Sequence, residues 1–132
     1  MSFLLDTDTS SAYIKANRRI VNRFVQHSGR LHVSTVTVGE LYVWALRRRA
    51  PASRLQQVQD LLQQVFVLDV TVAVAQKYGE VRAGLMDAGT PDPELDLLIA
   101  VTALVHRLTL VTHNTRHYTN APGLSQADWL VP

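Results

Sequence analysis

Asp6 and Asp8 stand at the end of the apolar run Phe3-Leu4-Leu5, and Glu40 and Asp96 each open a later stretch with helical spacing. An apolar run that stops abruptly at carboxylates reads as a short buried strand. Its C-terminal end delivers Asp6, with Asp8 close behind, into the crevice where open α/β sheets carry their chemistry. A carboxylate in that place serves as a metal ligand, a general base or a nucleophile. If Glu40 and Asp96 converge on it, the like charges cannot all stay ionised, because their mutual repulsion raises each pKa. A divalent cation resolves that conflict. Oxygen-only ligands favour Mg2+ or Mn2+, ions suited to in-line attack of water on a phosphate. Thr112, at the end of a later apolar stretch, adds a hydroxyl able to orient a ligand or a water.

The elements that must position these groups alternate along the chain. After the first strand, Thr9-Ser10-Ser11 offers capping hydroxyls and 12–15 reads as a helical turn. Asn17 caps a helix through Gln26, stopped by Ser28-Gly29. Leu31-His32-Val33-Ser34 is short and alternating, a second strand, and a cap at Thr35 or Thr37 starts a helix over 38–49. On it Leu41, Trp44, Ala45 and Arg48 share a face with Glu40 beside them. Pro51 precedes an amphipathic helix over 52–64, followed by the strand 66–68 with Asp69 as cap of the next helix, 72–88, which Gly89 ends. Thr90-Pro91-Asp92-Pro93 is a turn, since two prolines flanking an acid cannot continue a helix. Asp96 then opens the most apolar segment, 97–105, too long for a strand and so a central buried helix. A strand at 108–112 and a last one near 129–131 complete the order. Strands alternating with helices predict an α/β fold: a mostly parallel sheet of four or five short strands, covered by helices on both faces.

A chain of 132 residues, 47% hydrophobic and 18% charged, fits one globular domain over 1–132. It has no cysteine, which excludes disulfides, thiolate metal sites and a cysteine nucleophile. No apolar run approaches the roughly 18 residues of a membrane span, and the N-terminus lacks the basic and apolar regions of a signal peptide. The expectation is a soluble, unprocessed protein of the cytoplasm. The net charge of +2 is unevenly spread, because arginines gather at Arg18, Arg19 and Arg23 and again at Arg47, Arg48, Arg49 and Arg54. An arginine fork binds two phosphate oxygens at once. Trp44, on a helix that also carries arginines, is a candidate for a partner groove.

The order of motifs resembles a known family. Leu4-Leu5-Asp6-Thr7, then Ser34 to Leu41, Leu95 to Ala100, Leu110 to Arg116, and Pro122-Gly123-Leu124 through Asp128-Trp129 are similar to PIN-domain ribonucleases of the VapC toxin type. The pieces are individually weak, but they span nearly the whole chain in the family's order. The resemblance implies a Mg2+- or Mn2+-dependent endoribonuclease with Asp6, Glu40 and Asp96 as its acidic, metal-holding triad. It also implies a homodimer, inhibited by a small cognate antitoxin protein. The family often carries a further acid within 114–117, where this chain has none. Asn114 stands there instead, able to ligate through its carbonyl oxygen or hold a water, which leaves less negative charge for a second metal ion. Arg47, Arg48, Arg49 and Arg116 are the candidate RNA contacts. His113 and His117, four apart, would form a metal pair only on a helix.

Two alternatives remain at this level. One is a catalytically silent PIN-like module that binds RNA or protein. The other is a small haloacid-dehalogenase-type phosphatase with Asp6 as nucleophile, although that chemistry needs a lysine and a late pair of acids, and the chain has only Lys15, Lys77 and no adjacent acids.

Overall fold

A computed structural model describes residues 1–90, 94–118 and 121–131. Its five strands are β1 (Phe3–Leu5), β2 (Leu31–Ser34), β3 (Phe66–Leu68), β4 (Thr109–Val111) and β5 (Gln126–Ala127). Its helices are α1 (Thr7–Ile14), α2 (Arg18–Gln26), α3 (Thr35–Leu46), α4 (Ser53–Leu62), α5 (Val72–Asp87) and α6 (Glu94–His106), with a 3-10 turn at Thr115–Tyr118. All strand pairs are parallel, in the order β3-β2-β1-β4-β5. The expected parallel α/β sheet is thus present, with β1 at its centre. Leu4 pairs with His32 on one side and Leu110 on the other.

Burial of β1 on both faces explains why it is apolar without a polar alternate. Phe3 and Leu5 point into a cluster with Ile20, Phe24, Leu41, Val58 and Leu61, beneath α2, α3 and α4. Leu4, one residue out of phase, points the other way into Ile99, Ala100 and Ala103 of α6. On that side α5 packs over α6 through Val74, Leu97 and Val101. The stretch 97–105 is therefore the buried central helix its composition predicts. No helix among the described residues is long and apolar enough to cross a membrane.

Four boundaries differ from expectation. Helix α1 starts directly after Asp6 instead of near residue 12, because the Asp6 carboxylate itself caps it by accepting from the Thr9 N–H at 2.8 Å. Helix α3 is capped by Ser34, whose hydroxyl accepts from the Val36 N–H at 3.1 Å, and it stops at Leu46 where Arg47 turns extended. Arg47, Arg48 and Arg49 consequently lie in a loop and not on a helix face. Thr71, not Asp69, caps α5 by accepting from the Val74 N–H, while Asp69 is exposed. The last strand is Gln126–Ala127, and Trp129, expected within it, plugs the core edge-on against Phe3, 5.4 Å between ring centres. Helix α5 ends at Asp87 with Ala88 as its cap, and Gly89 just beyond takes the left-handed φ of 69° that suits a residue without Cβ. The turn expected at 90–93 falls mostly outside the described residues.

Candidate active site at the carboxyl edge of the sheet

Asp6 leaves the C-terminal end of β1, its N–H bonded to the Val111 carbonyl at 3.1 Å, and is only 4% exposed. Burial pushes its carboxyl above the usual range; hydrogen bonds from Thr112 and Thr9 pull the other way, and the Asp8 charge adds a smaller upward push. The expectation that repulsion among converging acids dominates is therefore corrected. Desolvation is the larger cause, and neither Glu40 nor Asp96 is among the causes.

Thr112, fully buried just past β4, links Asp6 to Asn114. Its hydroxyl accepts from the Asn114 N–H at 3.0 Å and bonds to Asp6, so its single proton points at the carboxylate. The Asn114 side chain donates to Asp8 Oδ2 at 3.2 Å. Asp6, Asp8, Thr112 and Asn114 thus form one hydrogen-bonded group. Removing its centre without changing shape, as in Thr112→Val, leaves a buried carboxylate short of a donor. Urea unfolding of the metal-free variant at neutral pH is expected to show a loss of about 1–3 kcal/mol. A change within about 0.5 kcal/mol, typical of an inconsequential surface site, would mean that the hydroxyl does not hold Asp6.

Glu40 joins from the β2 side. It is half-buried in the second turn of α3, and its Oε1 accepts from the Thr7 hydroxyl at 2.6 Å. The Thr7 oxygen lies 3.1 Å from that of Thr37, and since Thr7 spends its proton on Glu40, Thr37 is the donor in that contact. The sequence marks Thr37 only as a candidate helix cap and Thr7 only as part of the first motif, neither as a site residue. The signal was available in the Asp6-Thr7 step and in the spacing of Thr37 and Glu40, three apart on one helix face.

Asp96 is the third residue of α6, half-buried, and shares its face with Ile99, Ala100 and Ala103, which pack on Leu4 and Leu110. Because α6 ends at His106 and the chain enters β4 within three residues, the helix runs antiparallel to the strands. Its N-terminus accordingly lies toward the carboxyl edge where Asp6 emerges. Among the described residues, no three Asp, Glu or His side chains stand close enough to share a metal ion. Nor does any basic side chain among them form an ion pair with Asp6, Asp8 or Glu40.

His113 precedes the 3-10 turn, so it and His117 are not a helical pair; its Nδ1 lies 3.0 Å from Asp128 Oδ2 instead. Arg116 is exposed within that turn. Arg47, Arg48 and Arg49 are exposed and line a groove of about 670 Å³ that Glu40 and Trp44 also border. Arg54, also in the groove, lays its guanidinium 4.7 Å from the Trp44 ring centre, with its Nη1 bonded to the Trp44 carbonyl at 3.1 Å.

The PIN domain family model matches residues 3–122. The chain belongs to the PIN-domain family, in its VapC branch. It is 34% identical over 130 residues to the tRNA(fMet)-specific endonuclease VapC of Salmonella typhimurium, covering 98% of both chains. It is 30% identical to a Ribonuclease VapC of Haemophilus influenzae, covering 98% of this chain and 99% of the other. The crystal structure of DNA-bound VapBC from Salmonella typhimurium superposes with a TM-score of 0.92 at 34% identity, covering 98% of each chain. That of VapBC-1 from nontypeable Haemophilus influenzae gives 0.85 at 28% identity over 98% of this PIN domain and 99% of that chain. The phosphatase alternative is set aside by these matches.

Proposed function

We propose that this PIN domain is a divalent-cation-dependent endoribonuclease, the toxin of a toxin-antitoxin pair. The observation that carries the reading is a buried Asp6 carboxylate, without a basic partner among the described residues, at the sheet edge of a chain 34% identical end to end to a tRNA endonuclease. The donors fit a hard cation by their chemistry: Asp6, Glu40 and Asp96 offer carboxylate oxygens, and Asn114 an amide oxygen. Bound there, Mg2+ or Mn2+ would supply charge neutralisation at the phosphate and an activated water. The chain's own residues set the stage for it. Thr112 favours the ionised form of Asp6 against the opposing effect of burial, Thr7 orients Glu40, and Asn114 tethers Asp8. The cognate partners are an RNA substrate and a small antitoxin protein, with the toxin acting in the cytoplasm as a homodimer.

Initiator tRNA is the first substrate to try, because relatives at 33–34% identity carry that specificity in their names. Purified protein freed of antitoxin is expected to cut RNA with Mg2+ or Mn2+ and to stop in EDTA. Absence of metal-dependent cleavage on tRNA and on total RNA would leave the silent binding module as the surviving reading.

A further inference from the structure

The groove beside Glu40 is a second chemical environment, basic and aromatic where the carboxyl edge is acidic. Its wall is Trp44 with the Arg54 guanidinium laid 4.7 Å over the indole, and Arg47, Arg48 and Arg49 stand around its rim. At about 670 Å³ it lies in the size range of small-molecule sites, roughly 300–1,000 Å³, and so admits a nucleotide. We propose that this groove is a single-stranded RNA subsite, in which a base stacks on the Trp44–Arg54 platform and the flanking phosphates lie on Arg47, Arg48 and Arg49.

Three features favour RNA as the occupant. Aromatic rings and guanidinium planes are the surfaces on which unpaired bases stack, and a basic groove that tracks the backbone is the other half of that mode of binding. Arg54 is fixed by its bond to the Trp44 carbonyl, so the platform exists before the ligand arrives and little ordering cost falls on binding. Glu40 borders both the groove and the acidic centre, so a strand seated on the arginines runs on toward Asp6. An acidic peptide would satisfy the arginines but gives no use for the stacking platform. The subsite rests on the ribonuclease reading for its role, though not for its test.

Binding is measured in EDTA, where no cleavage occurs, by anisotropy of a short labelled single-stranded RNA over a range of salt. Each phosphate contact on a single strand contributes about 0.7 to the slope of log affinity against log salt, so replacing Arg47, Arg48 and Arg49 by Gln should flatten it by about 2. Trp44→Leu should keep the slope and weaken binding roughly fivefold or more. Of the two tryptophans, Trp129 is buried, so Trp44 is the reporter. Its fluorescence should be quenched by RNA and unaffected by an abasic oligomer of the same length. An unchanged slope in the arginine variant, equal quenching by the abasic oligomer, or an acidic peptide that binds more tightly than RNA and is not displaced by it would each overturn the proposal. Groove binding without any metal-dependent cleavage would refute the catalytic reading alone, and cleavage with an unaltered slope would refute the groove alone.

Discussion

Asp6→Asn is expected to abolish RNA cleavage while making the metal-free protein more stable at neutral pH. The activity loss follows from removing a ligand carboxylate: metal stabilisation of the transition state is worth several kcal/mol, so the rate should fall roughly a thousandfold. The stability gain follows from burial. Burial raises the folded-state pKa of Asp6 above the ordinary aspartate value of 3.8, so between that value and the raised one the folded chain holds a proton that the unfolded chain has lost. Stability attributable to this group therefore falls as pH rises through that window, and the full penalty applies above it. Asparagine cannot ionise and caps a helix about as well as aspartate, so the acceptor of the Thr9 N–H is kept. The Thr112 oxygen has a second lone pair with which to receive the new amide. Urea midpoints in EDTA should be higher for the variant at pH 7 and should converge with wild type as pH drops below the window. A variant less stable at pH 7, or a difference independent of pH, would contradict the burial penalty. Retained cleavage would contradict the assignment of Asp6.

How much of this centre was legible depended on whether the determinant was local. The run Phe3-Leu4-Leu5 ending at Asp6 is local, and the strand, its depth and the exposed carboxyl edge followed from it. The Ser34 and Asp6 caps were misplaced because a strand's last residue can also be a helix's first acceptor, and periodicity alone does not say which hydroxyl does the capping. The Arg47 to Arg49 loop was mistaken for helix because arginine has good helix propensity, whereas the chain leaves the helix after Leu46 with Arg47 extended. The Thr7–Thr37–Glu40 link was least visible. It exists because β1 and β2 pair in parallel, Phe3 opposite Leu31, which brings the residues after each strand to one edge from 30 and 33 positions apart. No window of sequence contains that register. The motif order, in contrast, located Glu40 and Asp96 as candidates without supplying their geometry.

Asp96→Asn is expected to erase most of the stabilisation that metal gives, with little effect on the metal-free protein. Helix α6 begins at Glu94, so Asp96 lies inside the first turn and is not its cap. Its carboxylate is worth about 0.3–1 kcal/mol to the helix dipole, and asparagine keeps the side chain's size and one acceptor oxygen. Glu40 and Asp96 do not contribute to the raised pKa of Asp6, so relief of repulsion should be minor and the melting temperature in EDTA should barely move. The metal response is the discriminating quantity. A ligand at a hundredfold excess over its dissociation constant stabilises by about 2.7 kcal/mol, which for a chain of 132 residues corresponds to a rise of roughly 10 °C. If Asp96 is a ligand, its loss should weaken binding enough that the same Mg2+ or Mn2+ concentration gives a rise of only a few degrees. Thermal melts of wild type and variant, each with EDTA and with metal, decide the matter. An equal metal-induced rise in the two proteins would remove Asp96 from the centre and leave Asp6 and Glu40, with Asn114 or Asp8, as the remaining donors.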